Sequence, residues 1–132
     1  MYNISMNKKN RQPLYKSFGY AFEGIFNTIR DERNIKIHLS VTVLVIIFGF
    51  ILRISYYEWI ICLLLFGLIT GLELVNTAVE EVVDLVTQER RPHAKKAKDA
   101  AAGAVLYAAL MAAFIGGMIF FPKLFNLVEN YF

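Results

Sequence analysis

Apolar and polar positions fall in blocks along this chain. From Leu14 to Arg33 the apolar residues Leu14, Phe18, Phe22, Ile25, Phe26 and Ile29 recur at spacings of three and four, with Lys16, Glu23 and Arg30 largely elsewhere on the wheel. This pattern predicts an amphipathic helix over about 14–33 lying in a membrane interface. Three apolar stretches follow. Leu39–Leu52 carries no charge and predicts a first span over about 35–54. Trp59–Leu72, WIICLLLFGLITGL, is also uncharged but short, and becomes a full span only if the helix continues through Glu73, Asn76 and Glu80. The expected helix is then 57–86, roughly 45 Å long at 1.5 Å per residue. That exceeds a hydrocarbon core of about 30 Å, so its second half reaches headgroups and water. Ala100–Pro122 is uncharged throughout and by itself long enough to cross, which predicts a third span over about 98–121.

Composition agrees. Apolar residues make up 57% of the 132 residues and charged residues 19%, too greasy for an ordinary soluble domain. A disordered chain, a disulfide scaffold and a collagen-like repeat are excluded, and the lone Cys62 permits no internal disulfide. The opening MYNISMNKKNRQPLYKS has no apolar h-region, so no signal peptide is expected. Residues 1–13 read as a mobile polar tail.

The net charge of +3 reflects topology more than nucleic acid. Seven of the fourteen basic residues lie between Lys8 and Lys36 and five between Arg90 and Lys98. The positive-inside bias then places the N-terminus and the 87–98 loop in the cytoplasm, and the 53–58 loop and the C-terminus outside. Chemistry is expected at the cytoplasmic face.

The segment Gly71–Val86, GLELVNTAVEEVVDLV, carries the candidate chemistry. On a helix, Glu73, Asn76, Thr77, Glu80 and Asp84 share one arc of about 100°, with valines, leucines and Ala78 opposite. Ionisable groups at membrane depth mark function by default. For Asp84 and Glu81, near the helix end, simple pairing with the basic loop explains the acids equally well. Glu73 and Asn76 lie well inside the apolar span, and Glu73 suits a general base. Clustered acids near a basic loop suit a hard cation such as Mg²⁺ with phosphates. Glu73 and Glu80 stand roughly 10.5 Å apart along the axis and cannot chelate one ion as a simple pair. Glu32 is the candidate second carboxylate from another element, with Asp31 behind it.

The loop QERRPHAKKAKD supplies Arg90, Arg91, Lys95, Lys96 and Lys98 as counter-charges for phosphate, although topology alone explains such residues. Lys98 and Asp99 are expected to open the third span, where free N–H groups favour phosphate. The following alanines and Gly103 read as helix packing. No P-loop, dinucleotide fingerprint, zinc cluster or GxSxG elbow is present. His38 and His93 are isolated, and His38 reads as an interface residue rather than a ligand.

These residues resemble the prokaryotic diacylglycerol kinase family, and more closely its undecaprenol kinase branch. The likeness rests on GLELVNTAVEEVVD, on AKDAAAGAVL, and on the Glu in FEGIFNTIRDERNIKIH; it covers roughly 14–121. It implies an all-α integral membrane fold, with an interfacial helix and three transmembrane helices in a homotrimeric bundle. Residues 14–132 would form one lipid kinase domain in a bacterial plasma membrane. The implied reaction moves the γ-phosphate of ATP, with Mg²⁺, to a lipid hydroxyl in sites shared between subunits. Glu73 matches the family's base, Glu32 and Glu80 its metal-holding acids, and Asn76 a polar site residue. Lys98 and Asp99 match nucleotide-binding positions, as do Tyr20 and the Glu89–Arg91 stretch. The loop departs from the commoner Glu-Tyr-His-Pro form, reading Glu89-Arg90-Arg91-Pro92. A family arginine aligns with Pro13, leaving Arg11 and Lys16 as alternatives. Undecaprenol is the expected lipid and diacylglycerol the alternative. A proton-coupled transporter built on Glu73, or a structural membrane subunit, has no use for the whole constellation.

Overall fold

The computed structural model describes residues 13–131, which form four helices and no strands. Helix α1 runs Leu14–Asp31, α2 Arg33–Ile51, α3 Tyr56–Val86 and α4 Pro92–Tyr131. The last three are long and apolar enough to cross a membrane. Residues 1–12, and with them Arg11 and most of the expected tail, lie outside the described residues.

The joint between α1 and α2 is a single residue. Glu32 is extended (φ −90°, ψ 126°), and its N–H still closes the last turn of α1 on the Thr28 carbonyl at 2.9 Å. The first helix therefore stops two residues before the expected boundary and the first span opens at Arg33. None of the α1 residues is buried. In α2 the hydroxyls of Ser40 and Thr42 donate to the carbonyls of Lys36 and His38, each at 2.8 Å, which satisfies them inside an apolar helix.

The α2–α3 turn carries Arg53 in the left-handed region (φ 51°). Helix α3 then starts on a capping box. The Glu58 N–H donates to Ser55 Oγ at 3.3 Å, and the Ser55 N–H donates to Glu58 Oε2 at 2.6 Å. These reciprocal bonds satisfy two N–H groups at the start of the helix. Glu58 also meets Lys123 Nζ of α4 at 3.1 Å, tying α4 to the first turn of α3.

Helix α4 corrects the expected third span at both ends. It opens at Pro92, six residues early, because proline at the first helical position loses no bond and is already set to the helical φ. The Lys95 N–H donates to the Arg91 carbonyl at 3.0 Å, so the charged run 93–99 is helical. Lys98 and Asp99 thus sit in the second turn, away from the free N–H groups of the helix start. At the other end α4 passes through Pro122 to Tyr131, beyond the expected stop at 121. Its 40 residues span about 60 Å.

Helices α3 and α4 pack most closely. A small core of Ile54, Cys62 and Ile119, backed by Val45, Trp59, Phe66, Ile115 and Phe120, lies toward the α2–α3 turn. Gly49 lets Trp59 close on α2: a Cβ there would stand 2.7 Å from Trp59 Cη2 and 3.2 Å from Ile54 Cδ1. The Trp59 ring in turn meets Phe50 with centroids 5.0 Å apart. Only 11–17% of each span's apolar window is buried inside the chain, so lipid or other chains must cover the rest. Gly49→Val is expected to push Trp59 out of place and cost about 1–3 kcal/mol, read as a lower melting temperature in detergent; an unchanged temperature would show that Trp59 relaxes freely.

Candidate active site

The polar arc of α3 is buried where it meets α2. Glu73 is 3% exposed and Asn76 7% exposed, the two buried polar residues among the described ones. Burial of these groups is costly unless partners are supplied. Glu73 finds one on α2: His38 Nε2 lies 3.2 Å from Glu73 Oε1. One turn on, Thr77 Oγ1 donates to the Glu73 carbonyl at 3.1 Å. Asn76 Nδ2 donates to Glu80 Oε1 at 3.1 Å, while Asn76 Oδ1 is buried without any partner. The carboxylates of Glu32 and Glu80 are both close enough to act electrostatically on Glu73. Glu32 arrives there because the one-residue joint brings it between two helices.

The joint also separates Glu32 from its neighbour. Asp31 is held by the adjacent Arg30, with Nε at 2.7 Å from Oδ1 and Nη2 at 2.9 Å from Oδ2. This hydrogen bonding keeps the Asp31 carboxyl below its ordinary range. Among the described residues no three His, Cys, Asp or Glu side chains converge into a ready metal cage. The side-chain oxygens beside Glu73 include Glu32, Glu80 and the unpartnered Asn76 Oδ1. That all-oxygen set fits a hard cation that brings further oxygens with it, as a magnesium–phosphate complex does.

A second cluster lies at the α3–α4 turn. Asp84, Thr87, Glu89, Arg91, Lys95, Lys98 and Asp99 surround a depression of about 580 Å³. Six of its charges pair among themselves. Lys98 Nζ is 2.6 Å from Asp84 Oδ1, Arg91 Nη2 is 3.0 Å from Glu89 Oε2, and Lys95 pairs with Asp99. Asp84 thus does what loop pairing alone predicts. Glu80 and Glu81 also act electrostatically on Lys98, so the two clusters adjoin.

Of the residues singled out in the sequence, Glu32, Glu73, Asn76 and Glu80 come together in one group, and Glu89, Arg91, Lys98 and Asp99 in the other. Tyr20 joins neither: it is exposed on α1. His38 was missed, read as an isolated interface residue. Its signal was depth. Counted from the 52–55 turn, His38 and Glu73 rise about 20 and 26 Å along neighbouring antiparallel helices, which places them about one turn apart, within reach of two long side chains.

The sequence pattern of the family described as prokaryotic diacylglycerol kinase matches residues 19–120, which includes every member of both clusters. The chain belongs to that family. Within the family, an undecaprenol kinase from Bacillus subtilis (strain 168) is 48% identical over 118 residues, covering 89% of this chain and 94% of the relative. A diacylglycerol kinase from Synechocystis sp. is 41% identical over 116 residues, covering 87% and 66%. A Helicobacter pylori (strain J99) diacylglycerol kinase is 28% identical over 125 residues, covering 95% and 98%. Family membership makes the chain a lipid kinase, and the three apolar spans make it a membrane protein.

The Asp84–Lys98 pair is partly exposed, at 48% and 36%. A double-mutant cycle with Asp84→Asn and Lys98→Met is therefore expected to give little or no coupling in thermal stability. A larger coupling would mean that this pair is screened from solvent and holds the helices together.

Proposed function

We propose that this chain is an undecaprenol kinase that transfers the γ-phosphate of ATP to the terminal hydroxyl of undecaprenol. What carries the choice of lipid is the 48% identity to the Bacillus subtilis undecaprenol kinase along nearly the whole of both chains. The 41% identity to the Synechocystis diacylglycerol kinase keeps diacylglycerol as the second substrate to test.

Phosphoryl transfer asks mainly for positioning and charge neutralisation. Glu73, buried in a span, is the base: it accepts the alcohol proton as that oxygen bonds to the γ-phosphorus and the bond to the β-phosphate oxygen breaks, releasing ADP. Its depth supports an alcohol that reaches the site from the bilayer. Glu32 and Glu80 are the acids that would hold Mg²⁺, with Asn76 anchoring Glu80 through the 3.1 Å hydrogen bond. Bound Mg²⁺ supplies neutralisation of phosphate charge. Lys98, Asp99, Glu89 and Arg91 bind the nucleotide in the neighbouring depression, and Tyr20 is the further contact implied by the family. Nucleotide phosphate competes with Asp84 for Lys98, a modest cost because that pair is partly exposed.

The surrounding assignments belong to the same proposal. Residues 14–132 act as one membrane-embedded domain, α1 lies in the interface through its exposed Leu14, Phe18, Phe22 and Phe26, and three copies share the sites. The large apolar surface left uncovered on all three spans supports lipid and subunit contacts. The charge bias places the N-terminus and the sites in the cytoplasm of a bacterial cell and the C-terminus outside. Lys16, exposed on α1, is the alternative to the family's N-terminal arginine among the described residues, and Arg11 lies outside them.

The deciding experiment is transfer of labelled γ-phosphate from ATP by purified protein in mixed micelles, with undecaprenol and diacylglycerol side by side and Mg²⁺ present or chelated. The expected product is labelled undecaprenyl phosphate, formed with Mg²⁺ and lost on chelation. A higher kcat/KM for diacylglycerol would move the substrate to the alternative, and no labelled lipid from folded protein would bring a transporter role for Glu73 forward. Glu73→Gln is expected to lower turnover by about 10²–10⁴-fold with the fold intact; near-normal turnover would remove Glu73 from the base role.

A further inference from the structure

The proposed reaction leaves one polar member of the buried cluster without a role. His38 comes from α2, while Glu73, Asn76 and Glu80 all come from α3. Its Nε2 stands 3.2 Å from Glu73 Oε1, with the two side chains 24% and 4% exposed. On its other side His38 lines an apolar cavity of about 640 Å³ between α2, α3 and α4, together with Thr42, Ile69 and Thr70. His38 is therefore the residue at which this cavity meets the Glu73 carboxylate. The charges acting on that carboxylate besides His38 are Glu32 from the α1–α2 joint and Glu80 from α3, both acidic.

The chemistry of imidazole suits this place. A neutral histidine with hydrogen on Nε2 donates one hydrogen bond to a carboxylate without permanently neutralising it, unlike lysine or arginine. An apolar residue would leave the carboxyl plane of Glu73 free to turn, since the terminal torsion of Glu is broad. A base works only when its lone pair points at the proton it takes.

We propose that His38 is the positioning residue for Glu73. A hydrogen bond from Nε2–H to Oε1 holds the carboxyl plane and leaves Oε2 to take the proton of the lipid alcohol. This role rests on the kinase function proposed above, and it adds a residue on a second helix to the proton-accepting machinery. The α2–α3 contact is then part of the site: the base is carried by one helix and aimed by the other.

The test compares wild type with His38→Leu, His38→Asn and His38→Gln in full-length protein, each checked for folding by its melting temperature in detergent. Phosphate transfer to the better of the two lipid alcohols is measured, with kcat and the KM for ATP determined separately. His38→Leu is expected to lower kcat by on the order of 10- to 100-fold, as loss of an orienting partner does elsewhere, with the KM for ATP unchanged. Glutamine places an amide N–H at about the reach of Nε2 and should restore most of the turnover. Asparagine stops short and should behave like leucine, so the Asn–Gln pair decides even if the leucine variant does not fold. Equal activity in Asn and Gln variants, or a change in KM alone, would overturn the positioning role while leaving the kinase in place. A wild type inactive toward both lipids would overturn the kinase function, and this role with it.

Discussion

A carboxyl group in the middle of a membrane span must be given polar company, and much of this molecule follows from that requirement at Glu73. Lipid cannot supply a hydrogen bond, and a bare carboxylate there is expensive. Helix α3 answers by gathering its polar residues on one arc, with Asn76, Thr77 and Glu80 within two turns. Helix α2 answers with His38. The α1–α2 joint, broken at Glu32, adds a carboxylate of the same sign, which relieves nothing and sharpens the need for a cation. The result is a cluster of acids that cations complement, and the basic turn between α3 and α4 lies next to it.

This arrangement separates two jobs along one helix. The deep end of the arc, at Glu73, lies against His38, which lines the apolar cavity, the setting that the proposed lipid alcohol needs. The shallow end, from Glu80 to Asp84, faces Lys98, the setting that the proposed phosphate needs. Glu80 belongs to both, bonded to Asn76 on one side and acting on Lys98 on the other. The internal pairing of the turn residues keeps those cations in place near the pocket while their partial exposure keeps them available.

The acidic arc was legible in the sequence because it is local: helical periodicity alone puts Glu73, Asn76 and Glu80 together, and α3 ran from Tyr56 to Val86 against an expected 57–86. The pairing of Asp84 with the basic loop was legible for the same reason. The limits of α4 are not legible, because a change from charged to apolar residues marks a membrane boundary and not a helix end. The run AKKAKDAAA holds strong helix formers, so once Pro92 starts the helix nothing stops it before the membrane. Pro122 reads as a helix end in the sequence, although proline removes a single backbone bond, and a helix already carried by its neighbours can continue past it. The capping box at Ser55 and Glu58 was written in the S-x-x-E spacing but was obscured by the aromatic residues between them. His38 is hardest to see, since its partner lies 35 positions away on another helix and only similar depth connects them.

The two ion pairs that link α3 and α4 stand at opposite ends of that hairpin: Glu58 with Lys123, and Asp84 with Lys98. A pair of rods riveted at both ends resists sliding and rolling, whatever the strength of each rivet. Helix α1, by contrast, joins the rest through one extended residue and a sparse contact with α2 and α3, and none of its own residues is buried. The molecule is thus built as a stiff mast with a hinged vane, and the vane's pivot is Glu32 itself. Any swing of α1 about that joint would carry the carboxylate with it, so the direction of the first helix and the charge gathered around Glu73 are mechanically geared to one another.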